Sequence, residues 1–223
     1  MTLAIAVLSL TRDRLDYTKH CFQTLHDNAG IQFDHYVLDN GSTDGTEDWL
    51  ADEYDPSLLC IAGKNLGINA GLNLLIAEVN EQDDYDVIVK FDNDCELTQP
   101  NTLRDICSLA VEGGCILSPR ILGLRQPPRS FRELHVSGEI IQDVPQIGGI
   151  FMAVPAWNYT DFGFRYDENK MIYDDVDLCA EWRRRGGTCG YVKRFEAWHY
   201  ETTDGQHERY PDYFTRKYEE MAV

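Results

Sequence analysis

Between Leu3 and Ser118 the chain alternates short apolar runs with stretches of helical spacing, and this pattern restricts the fold more than any other feature of the sequence. The apolar runs are Leu3–Ser9, Phe33–Leu38, Leu58–Ala62, Asp86–Phe91 and Cys115–Ser118. Between them lie Arg14–Asn28, a segment from about Thr46 to Glu53, one opened by Asn65-Leu66-Gly67, and Pro100–Val111. Continuously apolar strands separated by helices predict a parallel sheet covered on both faces. Ligands of such sheets bind beyond the carboxyl ends of the strands, which predicts that Thr11, Asp39, Lys64, Asp92 and Asp94 share one rim. With 223 residues the chain is long enough for one domain with a proper core.

The fourth run, Asp86-Val-Ile-Val-Lys-Phe-Asp92-Asn93-Asp94, ends in two carboxylates spaced i, i+2. Continued as a strand, that spacing puts both side chains on one face. Carboxylates held close repel unless a proton or cation lies between them. A hard divalent cation, Mg2+ or Mn2+, is the natural partner, and such ions commonly arrive with a substrate diphosphate. An acidic turn capping a buried strand is the competing reading.

Charge narrows the partners. Lys+Arg number 20 against 38 Asp+Glu, a net charge of -18. Such a surface repels nucleic acid and anionic membrane, and an anionic substrate then needs a metal or a few placed cations. Seven cysteines, none in a C-x-x-C pair and most within apolar runs, predict reduced buried thiols and no zinc site. The run Leu3–Leu8 is too short to span a bilayer and reads as a first strand, and no other stretch reaches transmembrane length. The expectation is a soluble cytoplasmic protein, with peripheral membrane attachment left open.

In the second half, Pro119–Arg132 carries Arg120, Arg125, Arg129 and Arg132 and reads as a long loop, either solvated or in contact with phosphate or acceptor. Leu134–Ile141 predicts one strand, and the paired Gly148-Gly149 mark a close approach of backbone to a ligand or another strand. Asp174-Asp175-Val176-Asp177 opens a helix ended by Gly186-Gly187, and its acids also suit simple helix capping. Cys189–Lys193 and Glu196–His199 predict two short strands, and His207–Glu220 an aromatic-rich helix.

Taken in order, these stretches resemble family 2 glycosyltransferases of the GT-A fold: Thr11-Arg, Leu-Asp39-Asn-Gly-Ser-Thr-Asp44-Gly-Thr, Asn65-Leu-Gly67-Ile-Asn-Ala-Gly71-Leu-Asn73, Asp92-Asn-Asp94, Gly148-Gly149, Gly163-Phe-Arg-Tyr-Asp167-Glu168, Asp174-Asp175-Val-Asp-Leu and Trp198-His199. The resemblance implies a Rossmann-like, mostly parallel sheet with a smaller mixed region, residues 1–118 binding nucleotide and 119–223 binding acceptor. It implies that Asp39 bonds the nucleobase beside Thr11, and that Arg14, Lys64, Asn65 and Asn93 lie near the nucleotide. Asp94 is implied as direct metal ligand, Asp92 as serving ribose or metal-bound water, and His199 as completing the metal or diphosphate site, against a structural role for a lone histidine. Asp175 is implied as catalytic base, with Asp174, Gly148 and Gly149 near donor sugar and acceptor. Asp174 replaces the usual Glu, and Gly71-Leu72 stand where many members carry an arginine, a role that Lys64 or Arg14 would take. The Q-x-x-R-W motif of processive members is absent.

The implied reaction moves a sugar from a UDP-, dTDP- or GDP-linked donor to a hydroxyl of a glycan, a lipid-linked sugar or another acceptor, once per encounter and with inversion. A sugar-phosphate nucleotidyltransferase would want a Gly-rich loop after the first strand, which Leu10-Thr-Arg-Asp-Arg14 is not. An inactive nucleotide-sugar binding module would not need Asp94 and Asp175.

Overall fold

The computed structural model describes residues 3–82, 84–123, 130–170, 174–200 and 206–221. The first half runs β1 (Ile5–Thr11), α1 (Leu15–Asn28), β2 (Asp34–Asp39), α2 (Thr46–Trp49) with a π-helical turn at Leu50–Tyr54, then β3 (Leu58–Ile61) and α3 (Ile68–Gln82). It continues through β4 (Val87–Phe91), β5 (Cys95–Leu97), α4 (Thr102–Gly113) and β6 (Cys115–Leu122). The second half holds β7 (Arg132–Val136), β8 (Glu139–Asp143), β9 (Phe151–Pro155), α5 (Trp157–Thr160), α6 (Asp174–Arg184), β10 (Thr188–His199), α7 (Gln206–Arg209) and α8 (Pro211–Met221).

One sheet of ten strands spans both halves in the order β3-β2-β1-β4-β9-β6-β10-β8-β7, with β5 paired to β10. β3, β2, β1 and β4 are mutually parallel, as their apolar runs predict. Beyond β4 the antiparallel β9 begins a mixed region, which includes the parallel pair β6–β10. Side chains alternate across the sheet into two cores. Ile5, Val7, Val87, Val89 and Phe91 meet Cys21, Phe22 and Leu25 of α1 and Leu103 and Ile106 of α4. Ala6, Leu8 and Ile88 point the other way, toward Leu72, Leu75 and Ile76 of α3 and Leu178 and Trp182 of α6.

Several expectations change in detail. The single strand expected over Leu134–Ile141 is a hairpin, β7–β8, because Ser137 and Gly138 both take positive φ (47° and 86°) and turn the chain. The two strands expected over Cys189–His199 are one, β10, whose register shifts between Val192 and Glu196. The loop expected from Pro119 begins later, since β6 continues to Leu122. Arg120 pairs with Glu196 and Arg132 with Asp143, while Arg125 and Arg129 lie outside the described residues. Six of the seven cysteines are buried and Cys60 is half-buried, all as free thiols. Among the described residues no helix is long and apolar enough to cross a membrane.

Two motifs far apart in sequence join under α3. Asn69 donates to the Asp167 carbonyl (2.9 Å), and Asn73 donates to the Tyr166 carbonyl and accepts its N–H (both 2.9 Å). The buried amides thus brace the segment that precedes α6. Gly71 faces the sheet between Leu10 and Leu38, where a Cβ would stand 2.6 and 2.8 Å from their methyls. An arginine there would enter the core, so this position supplies no cation to a nucleotide.

A buried polar chain ties β4 to β1 and β2. Ser9 Oγ donates to the Phe91 carbonyl (2.7 Å), so it accepts from Nε2–H of His35 (2.9 Å), whose Nδ1 accepts from the Tyr54 hydroxyl (2.6 Å). This arrangement needs a neutral imidazole, and burial, with a smaller contribution from His26, lowers the His35 pKa to about 3. The unfolded chain binds that proton near pH 6.5, so the folded state loses stability as pH falls from there toward 3. Between pH 7 and pH 5 this group alone removes about 2 kcal/mol. Denaturant unfolding at both pH values should show a flatter dependence in His35→Gln; parallel dependences in the two proteins would refute this.

Candidate active site

The loop after β1 is built to send one cation inward. Asp13 and Arg14 are consecutive non-glycine residues at positive φ (53° and 63°), a conformation that costs about 1–3 kcal/mol each. The Asn40–Gly45 turn after β2 holds them there. The Asp13 carboxylate accepts the N–H and hydroxyl of Thr43 (2.7 and 3.1 Å), Ser42 Oγ accepts the Asp13 N–H (2.9 Å), and Asp44 accepts the N–H of Leu15 (2.9 Å). Arg14 is folded back and buried, donating to Asp94 Oδ2 (2.8 Å) and Asn93 Oδ1 (3.0 Å) under the ring of Tyr213 (4.3 Å).

β4 stops at Phe91, so Asp92 and Asp94 do not converge by strand alternation as their spacing suggested. They converge in a turn, in which the Asp92 carbonyl accepts the Cys95 N–H (3.2 Å) while the Asp92 N–H donates to Ile150 (2.9 Å). The antiparallel pairing of β10 with β5 sets His199 opposite Cys95, one residue beyond Asp94. His199 Nε2 lies 3.4 Å from Asp94 Oδ1. Ligand atoms of Asp92, Asp94 and His199 all fall within 4.8 Å of one another, the one such group among the described residues. Neighbouring ligands of an octahedral ion with bonds of about 2.1 Å stand about 3 Å apart, so the group could close on one divalent cation by small side-chain movements. Two carboxylates and one imidazole suit Mn2+ at least as well as Mg2+. Burial opposes ionisation of Asp94, but the His199 imidazole and the Arg14 guanidinium outweigh it and hold the carboxyl well below its usual range.

On the far wall, alternation places Lys90 on the face of Ile88, toward the first turn of α6. Its ammonium lies 3.0 Å from Asp92 Oδ1 and 3.1 Å from Asp174 Oδ2, and also donates to the Gly149 carbonyl. Burial works to lower the Lys90 pKa, and Asp174 and Asp92 more than reverse this, raising it. Gly149 returns to the same wall: its N–H donates to Asp175 Oδ2 (3.2 Å), and Asp175 Oδ1 accepts the Val176 N–H (2.8 Å). Burial first, then the neighbouring Asp174, raise the Asp175 pKa above the ordinary carboxylate value.

These walls enclose a cleft of about 390 Å³. Of the residues expected near a nucleotide, Thr11, Arg14, Asn65 and Asn93 line it. So do Asp92, Asp94 and His199, and opposite them Gly148, Gly149, Asp174 and Asp175. Asp39 and Lys64 are not part of the lining. Asp39 is fully buried, accepting the N–H groups of Gly41 and Ser42 (3.1 and 2.9 Å) and the Thr11 hydroxyl (3.2 Å); Lys64 is exposed. Sequence reasoning missed Arg12, Lys90, Tyr213 and Lys217, all of which line the cleft. Lys90 had a signal, a lone charge inside an apolar strand; Tyr213 and Lys217 had only their i, i+4 spacing on α8.

The sequence pattern of glycosyl transferase family 2 matches residues 7–148. No curated protein matches the chain in sequence. Among solved structures, S. aureus TarS in complex with UDP-GlcNAc is 14% identical with a TM-score of 0.68, over 90% of this chain and 60% of that one. The mannosyltransferase PcManGT from Pyrobaculum calidifontis, in complex with GDP-Man and Mn2+, is 14% identical with a TM-score of 0.70, over 94% and 60%. GalNAc-T7 with UDP, GalNAc and Mn2+ is 10% identical with a TM-score of 0.69, over 92% and 45%. These likenesses show a shared GT-A fold, and the chain spans about half to three fifths of those proteins' lengths.

Proposed function

The chain belongs to glycosyl transferase family 2, and from that premise we propose that it transfers one sugar from a nucleoside-diphosphate donor to an acceptor hydroxyl, with a divalent cation and with inversion. The observation that carries this reading is the pairing, across one cleft, of the Asp92–Asp94–His199 group with the raised-pKa carboxylate of Asp175. Asp94, His199 and Asp92 would hold Mn2+ or Mg2+. When bound, the ion neutralises charge developing on the diphosphate leaving group and orients it.

The chain's own residues do the rest. Arg12 and Lys217 face the cleft, and cations gathered there in a chain of net charge -18 favour an anionic ligand. Thr11 and Asn65 line the cleft and, in this reading, meet the nucleoside. Asp39 braces the loop beneath them. Asp175 accepts the acceptor's proton as the new C–O bond forms, and its fixed place on α6 holds that geometry. One displacement with the base across from the leaving group inverts the anomeric carbon. UDP-, dTDP- and GDP-linked donors fit this reading. The acceptor is a hydroxyl compound (a glycan, a lipid-linked sugar or another), met along the wall built by the second half. Free thiols throughout favour a reducing, cytoplasmic setting.

Melting-temperature measurements with UDP, dTDP and GDP sugars, each with and without Mn2+, test this directly. One nucleotide should raise the melting temperature by several degrees only with the ion, since binding at 100-fold above Kd adds about 2.7 kcal/mol. No shift with any nucleotide would end the proposal.

A further inference from the structure

We propose that Lys90 is a built-in cation, occupying an oxygen cradle that would otherwise take a second metal ion and keeping divalent cations away from the aspartates of α6. Three oxygens surround its ammonium: Asp92 Oδ1 at 3.0 Å, Asp174 Oδ2 at 3.1 Å and the Gly149 carbonyl. Two carboxylates and a carbonyl are the donor set of a hard divalent ion. Asp92 is shared between this cradle and the Asp92–Asp94–His199 group, so emptying the cradle would leave two adjoining acidic sites. Backbone geometry keeps the cradle open, because a Cβ on Gly149 would stand 2.8 Å from both Nζ and Asp174 Oδ2. Lys90 itself is only 7% exposed and arrives from the strand below, so its reach is set by packing.

The arrangement has a functional reason that rests on the transferase reading. Asp175 adjoins Asp174 and shares Gly149 with Lys90. An ion bridging Asp92 and Asp174 would draw Asp175 toward metal coordination and lower its basicity. An ammonium neutralises the same oxygens with a single charge and leaves Asp175 free to accept a proton. Lys90 is therefore a positioning residue.

Lys90→Met and Lys90→Ala separate this role from simple packing. Counting bound Mn2+ by electron paramagnetic resonance, without donor or acceptor, should give one more ion per Lys90→Met chain than per wild-type chain. Lys90→Ala removes a three-carbon amine, so n-propylammonium should raise its melting temperature by about 5 °C, with no effect on wild type or Lys90→Met. Tetramethylammonium, which cannot donate hydrogen bonds, should do nothing. If Lys90→Ala folds only with n-propylammonium present, the refolding yield carries the same result. An unchanged Mn2+ count together with no response to the amine would overturn the proposal. A wild-type chain that takes no Mn2+ even with nucleoside diphosphates added would instead strike the transferase reading, because the amine response depends on no metal.

Discussion

Asp175→Asn should lower sugar transfer by about 10²–10⁴-fold while donor binding stays close to wild type. The substitution keeps the size of the side chain and removes its ability to take a proton. One oxygen can still accept the Val176 N–H, so the place of the side chain on α6 survives. The amide nitrogen then faces the Gly149 N–H, losing a bond of about 1 kcal/mol, a small cost to stability. Donor affinity should hold because no contact of Asp175 reaches Asp92, Asp94 or His199 except through Gly149 and Lys90. The wild-type rate should also fall on acidification, since the base works only when ionised. Burial and Asp174 raise its pKa, so this fall sets in at higher pH than an ordinary aspartate would give. Full turnover in Asp175→Asn would remove this residue from the reaction.

Asp94→Asn should have the largest effect on the fold as well as on the site. Arg14 is 6% exposed and its direct ion pair is with Asp94. Taking one partner from a buried ion pair costs about 3–5 kcal/mol because the other buried charge loses its closest compensation. For a chain of this length each kcal/mol lowers the melting temperature by about 2–4 °C, so a drop of roughly 6 °C or more is expected. Stabilisation by Mn2+ with nucleotide should disappear in the same variant. The double variant Arg14→Met with Asp94→Asn should recover part of the lost stability and none of the metal response. Equal melting temperatures for wild type and Asp94→Asn would mean that the Arg14 pair contributes nothing net.

Much of the fold was legible because periodicity is local. The strands ending at Thr11 and Phe91 are mostly apolar and buried, and β2 is buried from His35 onward around Tyr36-Val-Leu38. The edge strand β3 is apolar but only half-buried; together the four form the parallel half of the sheet. The second half was harder. Its hairpin turns on two backbone angles at Ser137 and Gly138, and its long strand β10 contains a register shift at Lys193–Phe195 that reads in sequence as a break.

The site divides the same way. Asp92, Asp94 and Asp175 announce themselves by composition, because acids at the end of an apolar strand and at the start of a helix are chemically expensive unless used or capped. The sequence could not say which cation answers each of them. Arg14 reaches Asp94 across 80 positions, and Lys90 bridges Asp92 to Asp174 across 82. His199 meets Asp94 only because β10 pairs with β5. Asp39 is a carboxylate marked by motif for the nucleotide, and the structure adds what local pattern did not give, that one of its oxygens also accepts the N–H groups of its own turn.

By itself, then, the order of residues determined the sheet's parallel half, its helical covering and the rim on which acids would gather, since each depends on neighbours a few positions apart. Only the tertiary structure decided how those charges pair, because opposite charges in a buried cleft must find partners wherever the chain's long-range packing brings them, and no local pattern encodes that distance.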